Sequence, residues 1–240
     1  GLPDQTQARL SDSVQMLLSL SPDRVALYGY AHVPWMAKRQ ALIPTEALPS
    51  PEQRLALFET ARQLFIWDDY AEIGIDHFAK PGDSMARAAR TGHLRRNFQG
   101  YTDDTCDVLI GLGASAISRL PQGFAQNASS TAAYQRAVRA GEMATGRGHI
   151  FKGEDRLRSR MIEMLMCDFR IDGAAILRDF DITPDRLAAM LGTAAQQFPG
   201  MLSLKGHGLD IHPEGRALTR MIARVFDAYE MRAEGHSSAI

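Results

Sequence analysis

Apolar residues recur every three or four positions in several stretches of this chain, and this spacing predicts amphipathic helices. The clearest stretch begins at Ser50 and Pro51, where serine can cap a helix and proline suits its first turn, and it continues to about Trp67. An earlier helix, capped by Thr6 or Ser11, is predicted to end near residue 19. The same spacing predicts further helices over residues 85–91, 134–140, 155–169, 174–179, 184–196 and 213–233.

Short β-rich runs lie between these helices. Residues 24–30 and 70–75 are predicted to be strands, and residues 76–81 are expected to form the polar loop that ends the second strand. Because helix, strand and polar loop occur twice in succession, the pattern favours an α/β layout over an all-helical one. Later in the chain, glycines indicate a loop over residues 141–153, and residues 202–211 are predicted to form a β-hairpin.

Composition and charge exclude several classes of protein. The 240 residues are 45% hydrophobic, which is sufficient for a sizeable core. With 27 basic and 28 acidic residues, the formal net charge of -1 provides no global field that would attract nucleic acid or an anionic membrane. No apolar run approaches the roughly 20 residues that cross a bilayer, and no signal peptide is recognisable. We therefore expect a cytoplasmic protein without nucleic-acid or membrane partners.

Two segments have a composition that is suited to lining a ligand-binding pocket. Residues 95–102 combine Arg95 and Arg96 with amide side chains, two aromatic rings and hydroxyl groups around Gly100. Guanidinium groups can pair with carboxylates through bidentate hydrogen bonds, although a solvated basic loop is the alternative. Residues 111–118 are mostly small and follow an apolar run, so their backbone can approach a bound molecule closely.

Five motifs together resemble a known family, the oxygen-independent coproporphyrinogen III oxidases. The motifs are YAHVP at residues 30–34, GIDHFA at 74–79, RNFQGYT at 96–102, GLGASAIS at 111–118 and AQN at 125–127. The resemblance implies a radical S-adenosylmethionine (SAM) enzyme that decarboxylates two propionates of coproporphyrinogen III to vinyl groups in haem synthesis. It does not identify the electron donor.

The resemblance also implies the fold class and its division. We expect an α/β fold in which residues 1–148 form the C-terminal part of a partial radical-SAM (β/α) barrel with adjoining substrate-cavity segments. Residues 149–240 are expected to form a mainly α-helical domain with a small, winged-helix-like β-hairpin. The tail, residues 235–240, is expected to be mobile.

The same resemblance assigns site residues. It implies that Ala31 gives a backbone contact to S-adenosyl-L-methionine and that Ile117 lies against its adenine. Phe98 and Gln99 are expected to face the second SAM or the substrate. From residue type alone, the two aliphatic side chains indicate core, and Phe98 fits a buried packing position equally well.

Charged and histidine side chains near these positions are further candidate site residues. Arg95 and Arg96 are expected to bind substrate carboxylates. His32 and His77 each follow a predicted strand and are expected to orient neighbouring groups through hydrogen bonds, with Asp76 as a partner of His77, rather than to bind a metal.

The cysteines depart from the family pattern. Family members carry a Cys-x3-Cys-x2-Cys motif that binds a 4Fe-4S cluster, and this chain has only Cys106 and Cys167, too few ligands for a cluster. We therefore expect the chain to be the C-terminal portion of the enzyme, with the cluster ligands on a missing N-terminal half. Alone it is expected to be inactive, and to be an oligomer or a poorly stable monomer because strand edges would be open.

Two other classes of function remain as alternatives. The hairpin at residues 202–211, set among helices, resembles a winged helix, which binds DNA in other proteins. However, the segment over residues 184–196 contains only Arg186 as a cation, and the tip of the hairpin offers only Lys205 and His207. A structural lid is therefore favoured for this region. A self-standing porphyrin- or nucleoside-binding module is the other alternative.

Overall fold

The computed structural model describes residues 1–35 and 37–229. The α-helices are α1 (Gln7–Ser19), α2 (Pro51–Trp67), α3 (Ser84–Arg90), α4 (Thr131–Arg139), α5 (Asp155–Asp168), α6 (Gly173–Asp179), α7 (Pro184–Gln197) and α8 (Thr219–Arg224). The strands are β1 (Arg24–Ala26), β2 (Ala71–Ile73), β3 (His77–Ala79), β4 (Arg95–Asn97), β5 (Gly100–Thr102), β6 (Ile117–Leu120), β7 (Gly123–Asn127), β8 (Thr145–Ile150), β9 (Arg170–Ile171), β10 (Leu202–Lys205) and β11 (Gly208–Ile211). Short 3-10 helices cover Lys38–Leu42, Thr45–Ala47 and Pro213–Leu218.

The strands form four small sheets. Their orders are β1-β3-β2, β4-β5, β6-β7-β8 and β10-β11-β9, and every pairing between these strands is antiparallel. The mixture of helices and strands agrees with the predicted α/β class. Within the described residues the sheets close no barrel. No helix in this part of the chain is both long and apolar enough to cross a membrane.

Helix α2 begins where the sequence predicts because its first turn is fully capped. The Ser50 side chain accepts a hydrogen bond from the Gln53 backbone at 3.2 Å, and the Gln53 side chain accepts one from the Ser50 backbone at 2.8 Å. This reciprocal pair satisfies two backbone donors that would otherwise lack partners, and Pro51 follows at the first helical position. The predicted end at Trp67 is confirmed.

The largest core lies in the C-terminal part of the chain. Helices α5, α6, α7 and α8 enclose it together with β9 and β11, and Met161, Leu165 and Leu187 at its centre have no exposed surface. Two smaller clusters stabilise the N-terminal part. In one of them the rings of Phe65 and Phe78 stack with centroids 4.7 Å apart, which attaches α2 to β3.

The prediction of a polar loop over residues 76–81 is wrong for residues 77–79. His77–Ala79 form β3, the central strand of a sheet in which β1 and β2 are the edges. Gly74 has a φ of 57°, a left-handed conformation that allows the tight turn from β2 into β3. Phe78 in this strand is buried, while His77 is its first residue and Asp76 directly precedes it.

The prediction of an irregular loop over residues 141–153 is also wrong in part, because Thr145–Ile150 form β8 beside β7. Gly148 permits this pairing, since a Cβ there would lie 2.8 Å from the Phe124 carbonyl oxygen. The expected domain boundary after residue 148 falls inside β8. The division of the chain into two domains stays a prediction.

The C-terminal elements match the sequence patterns only partly. The predicted hairpin over residues 202–211 is confirmed as β10 and β11. The single helix predicted over residues 213–233 is instead the 3-10 helix Pro213–Leu218 followed by α8, which ends at Arg224. The remainder of that predicted helix beyond residue 229, and the tail at residues 235–240, lie outside the described residues.

Candidate functional site

The segment over residues 95–102 is a tight hairpin made of β4 and β5. Arg96 pairs with Tyr101, and Asn97 pairs with Gly100. Phe98 and Gln99 therefore form the turn, where the Asn97 side chain accepts a hydrogen bond from the Gln99 backbone at 2.8 Å. The turn presents both predicted substrate-facing side chains at one end of the hairpin.

Tyr101 fixes this hairpin to the rest of the fold. Its hydroxyl donates to the Met166 carbonyl at 2.7 Å and accepts from the Ile75 backbone at 3.0 Å. Gly74 makes room for the ring, because a Cβ on that residue would lie 2.1 Å from it. Burial raises the pKa of Tyr101 well above its usual range, so the hydroxyl remains a donor.

Replacing Tyr101 with phenylalanine is expected to lower the free energy of unfolding by about 2 kcal/mol. The change keeps the ring but leaves the Ile75 N–H and the Met166 carbonyl without their partner in a buried place. Urea unfolding of the wild type and the variant measures the difference. Tyr134→Phe is a control on α4, where the hydroxyl accepts a single bond from Gly113. If the Tyr101 variant loses no more stability than this control, the anchoring role is wrong.

A chain of polar contacts runs beside the hairpin. Asp76 is only 6% exposed, and its carboxylate accepts hydrogen bonds from His77 Nδ1 and from Arg220, each at 2.6 Å. The other ring nitrogen of His77, Nε2, lies 3.4 Å from the Tyr28 hydroxyl. The predicted Asp76–His77 pair is confirmed.

Gly100 brings the hairpin against this polar chain. It has a φ of 138°, and a Cβ there would lie 3.0 Å from His77 Nε2. The His77 ring also meets the Tyr101 ring edge to face, with centroids 5.0 Å apart. His77 is therefore held from both sides and has little freedom to rotate.

Four arginines line a cleft of about 220 Å³ on another side of the hairpin; we call it the arginine cleft, and its cations are Arg95, Arg96, Arg119 and Arg160. Glu163 on α5 accepts hydrogen bonds from the Arg96 backbone at 3.2 Å and from the Arg160 side chain at 2.7 Å. The Arg96 guanidinium lies 5.7 Å from the Tyr101 ring centroid, and its buried Nε has no hydrogen-bond partner within the described part of the chain. A buried donor without a partner suits a ligand oxygen.

Phe98 is partly exposed, and its ring also contacts another aromatic side chain. Its side chain is 53% exposed, yet its ring meets Phe124 of β7 edge to face at 5.0 Å. Phe124 in turn meets Phe151 in the same geometry at 5.0 Å. The hairpin turn therefore rests on the β6-β7-β8 sheet through aromatic rings while one face of Phe98 remains open to a ligand.

The two positions assigned to SAM lie in different surroundings. Ala31 is exposed, and its carbonyl accepts a hydrogen bond from Gln40 at 3.1 Å, which leaves one lone pair for another donor. The neighbouring His32 has a buried Nδ1 with no partner in the described residues. These features fit a polar ligand at the end of this segment.

Ile117 begins β6 and is half-buried. Gly111 permits the preceding segment to approach it, because a Cβ there would lie 2.8 Å from the Ile117 backbone. The arginine cleft contains neither Ala31, Ile117, Phe98 nor Gln99. Their roles in binding SAM or substrate stay predictions.

The described residues do not fit an iron-sulfur cluster. No group of three histidine, cysteine or acidic side chains in residues 1–35 and 37–229 could hold a metal ion. Cys106 is exposed and Cys167 is buried. Burial raises the pKa of the Cys167 thiol to about 12, so it stays protonated and is a poor ligand.

Comparison with known proteins identifies the class and then the family. No family model matches the chain. A solved structure, coproporphyrinogen III oxidase from Escherichia coli, described as a radical SAM enzyme, superimposes with a TM-score of 0.86 at 35% identity over 96% of this chain and 54% of that one. This match confirms the predicted α/β fold class, because the chain has the fold of the corresponding part of a radical SAM enzyme. The described part of the chain contains no closed barrel.

Sequence relatives give the particular family. The oxygen-independent coproporphyrinogen III oxidase of Paracoccus denitrificans is 61% identical over 100% of this chain and 53% of its own length. The enzyme of that name from Thermostichus vulcanus is 38% identical over 99% of this chain and 74% of its own length. The chain thus spans about half the length of the Paracoccus relative and about three quarters of the other. It belongs to the oxygen-independent coproporphyrinogen III oxidase family.

Proposed function

We propose that the protein containing this chain carries out the radical SAM-dependent oxidative decarboxylation of coproporphyrinogen III to protoporphyrinogen IX in anaerobic haem biosynthesis. The observation that carries the proposal is 61% identity, along the whole of this chain, to a relative that bears the name of this activity. We also propose that it acts in the cytoplasm. The 4Fe-4S cluster would be held by residues outside this chain.

The arginine cleft supports the substrate assignment. Coproporphyrinogen III carries propionate side chains, and arginine forks match carboxylates in geometry and charge. Arg95 and Arg96 line the cleft from β4, the strand that leads into the Phe98–Gln99 turn. A propionate bound in the cleft would bring its pyrrole ring towards this turn, where Phe98 offers an open aromatic face and Gln99 an amide.

Ala31 and Ile117 are proposed to bind S-adenosyl-L-methionine. This cofactor supplies the radical chemistry when it is bound. The free lone pair of the Ala31 carbonyl can accept a hydrogen bond, and the half-buried Ile117 side chain offers an apolar surface for an adenine ring. Their part in the reaction is to orient the cofactor and to exclude water around it.

Variants of the complete gene product that contains this chain test the proposal. After anaerobic reconstitution with iron and sulfide, Gln99→Ala and Arg96→Gln are expected to lower the rate of vinyl formation about 10-fold or more, because each removes a polar contact to the substrate. Arg139→Gln, an exposed change on α4, is the matched control and is expected to keep the wild-type rate. Product is measured as protoporphyrin after oxidation.

Cluster content, read from its visible absorption, distinguishes loss of function from failed assembly in this experiment. Both site variants are expected to keep the wild-type absorption. If they keep the wild-type rate as well, the assignment of the hairpin turn and the arginine cleft is wrong. If the wild-type protein itself forms no vinyl groups, the proposed activity is wrong.

The nucleic-acid alternative is not favoured. Arg186, the single cation in the sequence of α7, pairs with Glu154 at 3.3 Å, and Lys205 at the hairpin tip pairs with Asp210 at 2.9 Å. Cations that are already paired with carboxylates contribute little to the release of counterions from DNA. Helix α7 also buries Leu187 and Leu191 in the core, so its apolar face is used for packing.

A further inference from the structure

A second cavity, of about 430 Å³, is lined by Tyr28, Asp76 and Arg220 of the polar chain and shares no lining residue with the arginine cleft. We call it the Tyr28 cavity. Its polar lining includes Tyr28, Arg54, Asp76, Arg216 and Arg220, together with Gly1, Gln5, Tyr30 and Thr219. Apolar side chains, including those of Leu27, Phe58 and Ile75, form the rest of its wall. A cavity of this size with apolar walls and a few convergent polar groups is typical of a small-molecule site.

The charges in the Tyr28 cavity do not cancel. Arg220 donates to the Asp76 carboxylate at 2.6 Å, so its positive charge compensates that negative charge. Within the described residues, neither Arg54 nor Arg216 forms an ion pair. The Arg54 guanidinium donates to the Tyr30 carbonyl at 3.3 Å, and the Arg216 guanidinium lies over the Phe169 ring at 4.6 Å. Two positive charges beside apolar walls attract an anion more strongly than they would in open water.

A series of side-chain contacts connects the two cavities. Arg96 of the arginine cleft contacts the Tyr101 ring at 5.7 Å, Tyr101 contacts His77 at 5.0 Å, and His77 contacts Tyr28 with ring centroids 5.7 Å apart. Three successive contacts therefore separate one cationic site from the other.

We propose that the Tyr28 cavity binds a carboxylate-bearing pyrrole ring of the substrate, with Arg54 and Arg216 holding the carboxylate and the apolar wall holding the ring. This inference rests on the proposed function and deepens it, because it assigns a second propionate to a site separate from the arginine cleft. A propionate held here anchors the tetrapyrrole while another is placed near the Phe98–Gln99 turn.

Arg220 has a specific part in this site, which is to mask Asp76. Asp76 lines the cavity, and its charge would repel an incoming carboxylate if Arg220 did not pair with it. Arg220→Met therefore places an unmasked negative charge beside the ligand. Asp76→Asn combined with Arg220→Met removes both charges of the pair and with them the repulsion. The double variant is thus expected to bind the ligand better than the Arg220→Met single variant.

Equilibrium binding of coproporphyrin III, the stable oxidised form of the tetrapyrrole, to the complete gene product tests this site without turnover. Arg54→Gln and Arg220→Met are each expected to raise its Kd about 10-fold or more, and Asp76→Asn/Arg220→Met is expected to stay within about 3-fold of the wild type. Arg139→Gln is the matched control. The tetramethyl ester, which has no carboxylates, is expected to bind the wild type and Arg54→Gln with equal Kd.

The outcomes separate the two proposals. Wild-type Kd values in Arg54→Gln and Arg220→Met overturn the Tyr28 cavity as a carboxylate site, whatever the turnover. A double variant that binds no better than Arg220→Met also overturns it, because loss of structure rather than of charge compensation then explains the single variant. Binding with the expected pattern in a protein that forms no vinyl groups supports the cavity and overturns the proposed activity instead.

Discussion

Replacing Gly74 with alanine is expected to lower the free energy of unfolding by about 4 kcal/mol. The residue has a φ of 57°, which costs an L residue with a Cβ about 1–2 kcal/mol. In addition, the new Cβ would lie 2.1 Å from the Tyr101 ring, a buried side chain that is bonded at its hydroxyl and cannot move aside freely. Overpacking of this kind costs about 1–3 kcal/mol more.

Urea unfolding of Gly74→Ala beside Gly192→Ala measures this effect. Gly192 lies within α7 and has no atom within 4 Å of the position of a new Cβ, so alanine there is expected to stabilise the protein by about 0.5–1 kcal/mol. The free energy of unfolding is therefore expected to fall in the Gly74 variant and to rise in the Gly192 variant. A Gly74 variant as stable as the wild type would show that Tyr101 does not occupy the space beside this turn.

Replacing Leu165 with alanine is expected to cost about 3 kcal/mol. Leu165 has no exposed surface and lies at the centre of the largest core, so the change leaves a cavity that the surrounding helices fill only partly. The same helix, α5, supplies the Met166 carbonyl that binds Tyr101 and the Glu163 carboxylate that binds the Arg96 backbone. Loss of core packing is therefore expected to loosen the hairpin as well.

Leu42→Ala is the matched control, because Leu42 is 85% exposed and its truncation removes little buried surface. Urea unfolding is expected to show a change within about 0.5 kcal/mol for this variant. Hydrogen exchange of the Tyr101 and Ile75 amides reports on the hairpin separately. Equal losses of stability in the two leucine variants would contradict the described core.

The long helices could be predicted because their signals are local. The capping box at Ser50 and the apolar periodicity of α5 and α7 lie within a few residues of the positions that they determine. Strand β3 could not be predicted in the same way. It has three residues, too few to show an alternating pattern, and it depends on β1, which pairs with it from more than 50 positions earlier.

Strand β8 could not be predicted from the sequence for a related reason. The segment Thr145–Ile150 contains two glycines and polar side chains, a composition that indicates a loop when it is considered alone. It becomes a strand because β7 offers an edge, and because Gly148 leaves space for the Phe124 carbonyl. Pairing with a partner strand overrides local preference in such a segment.

In the candidate site, too, contacts between sequence neighbours could be predicted, and contacts between residues far apart in the sequence could not. Asp76 and His77 are adjacent in the sequence, so their pairing could be predicted from residue type. The contact between Asp76 and Arg220 spans 144 positions, and no pattern near either residue indicates it. Arg54 and Arg216 likewise look like ordinary solvated cations of helical segments until the fold places them around one cavity.

Anaerobic turnover of coproporphyrinogen III tests most directly whether this chain forms part of a decarboxylase. The complete gene product, reconstituted with iron and sulfide and supplied with SAM and a reductant, is expected to form protoporphyrinogen IX and to release carbon dioxide from two propionates per substrate. The same protein without SAM is expected to form none. A reconstituted protein that binds its cluster and SAM yet leaves coproporphyrinogen III unchanged would contradict the account.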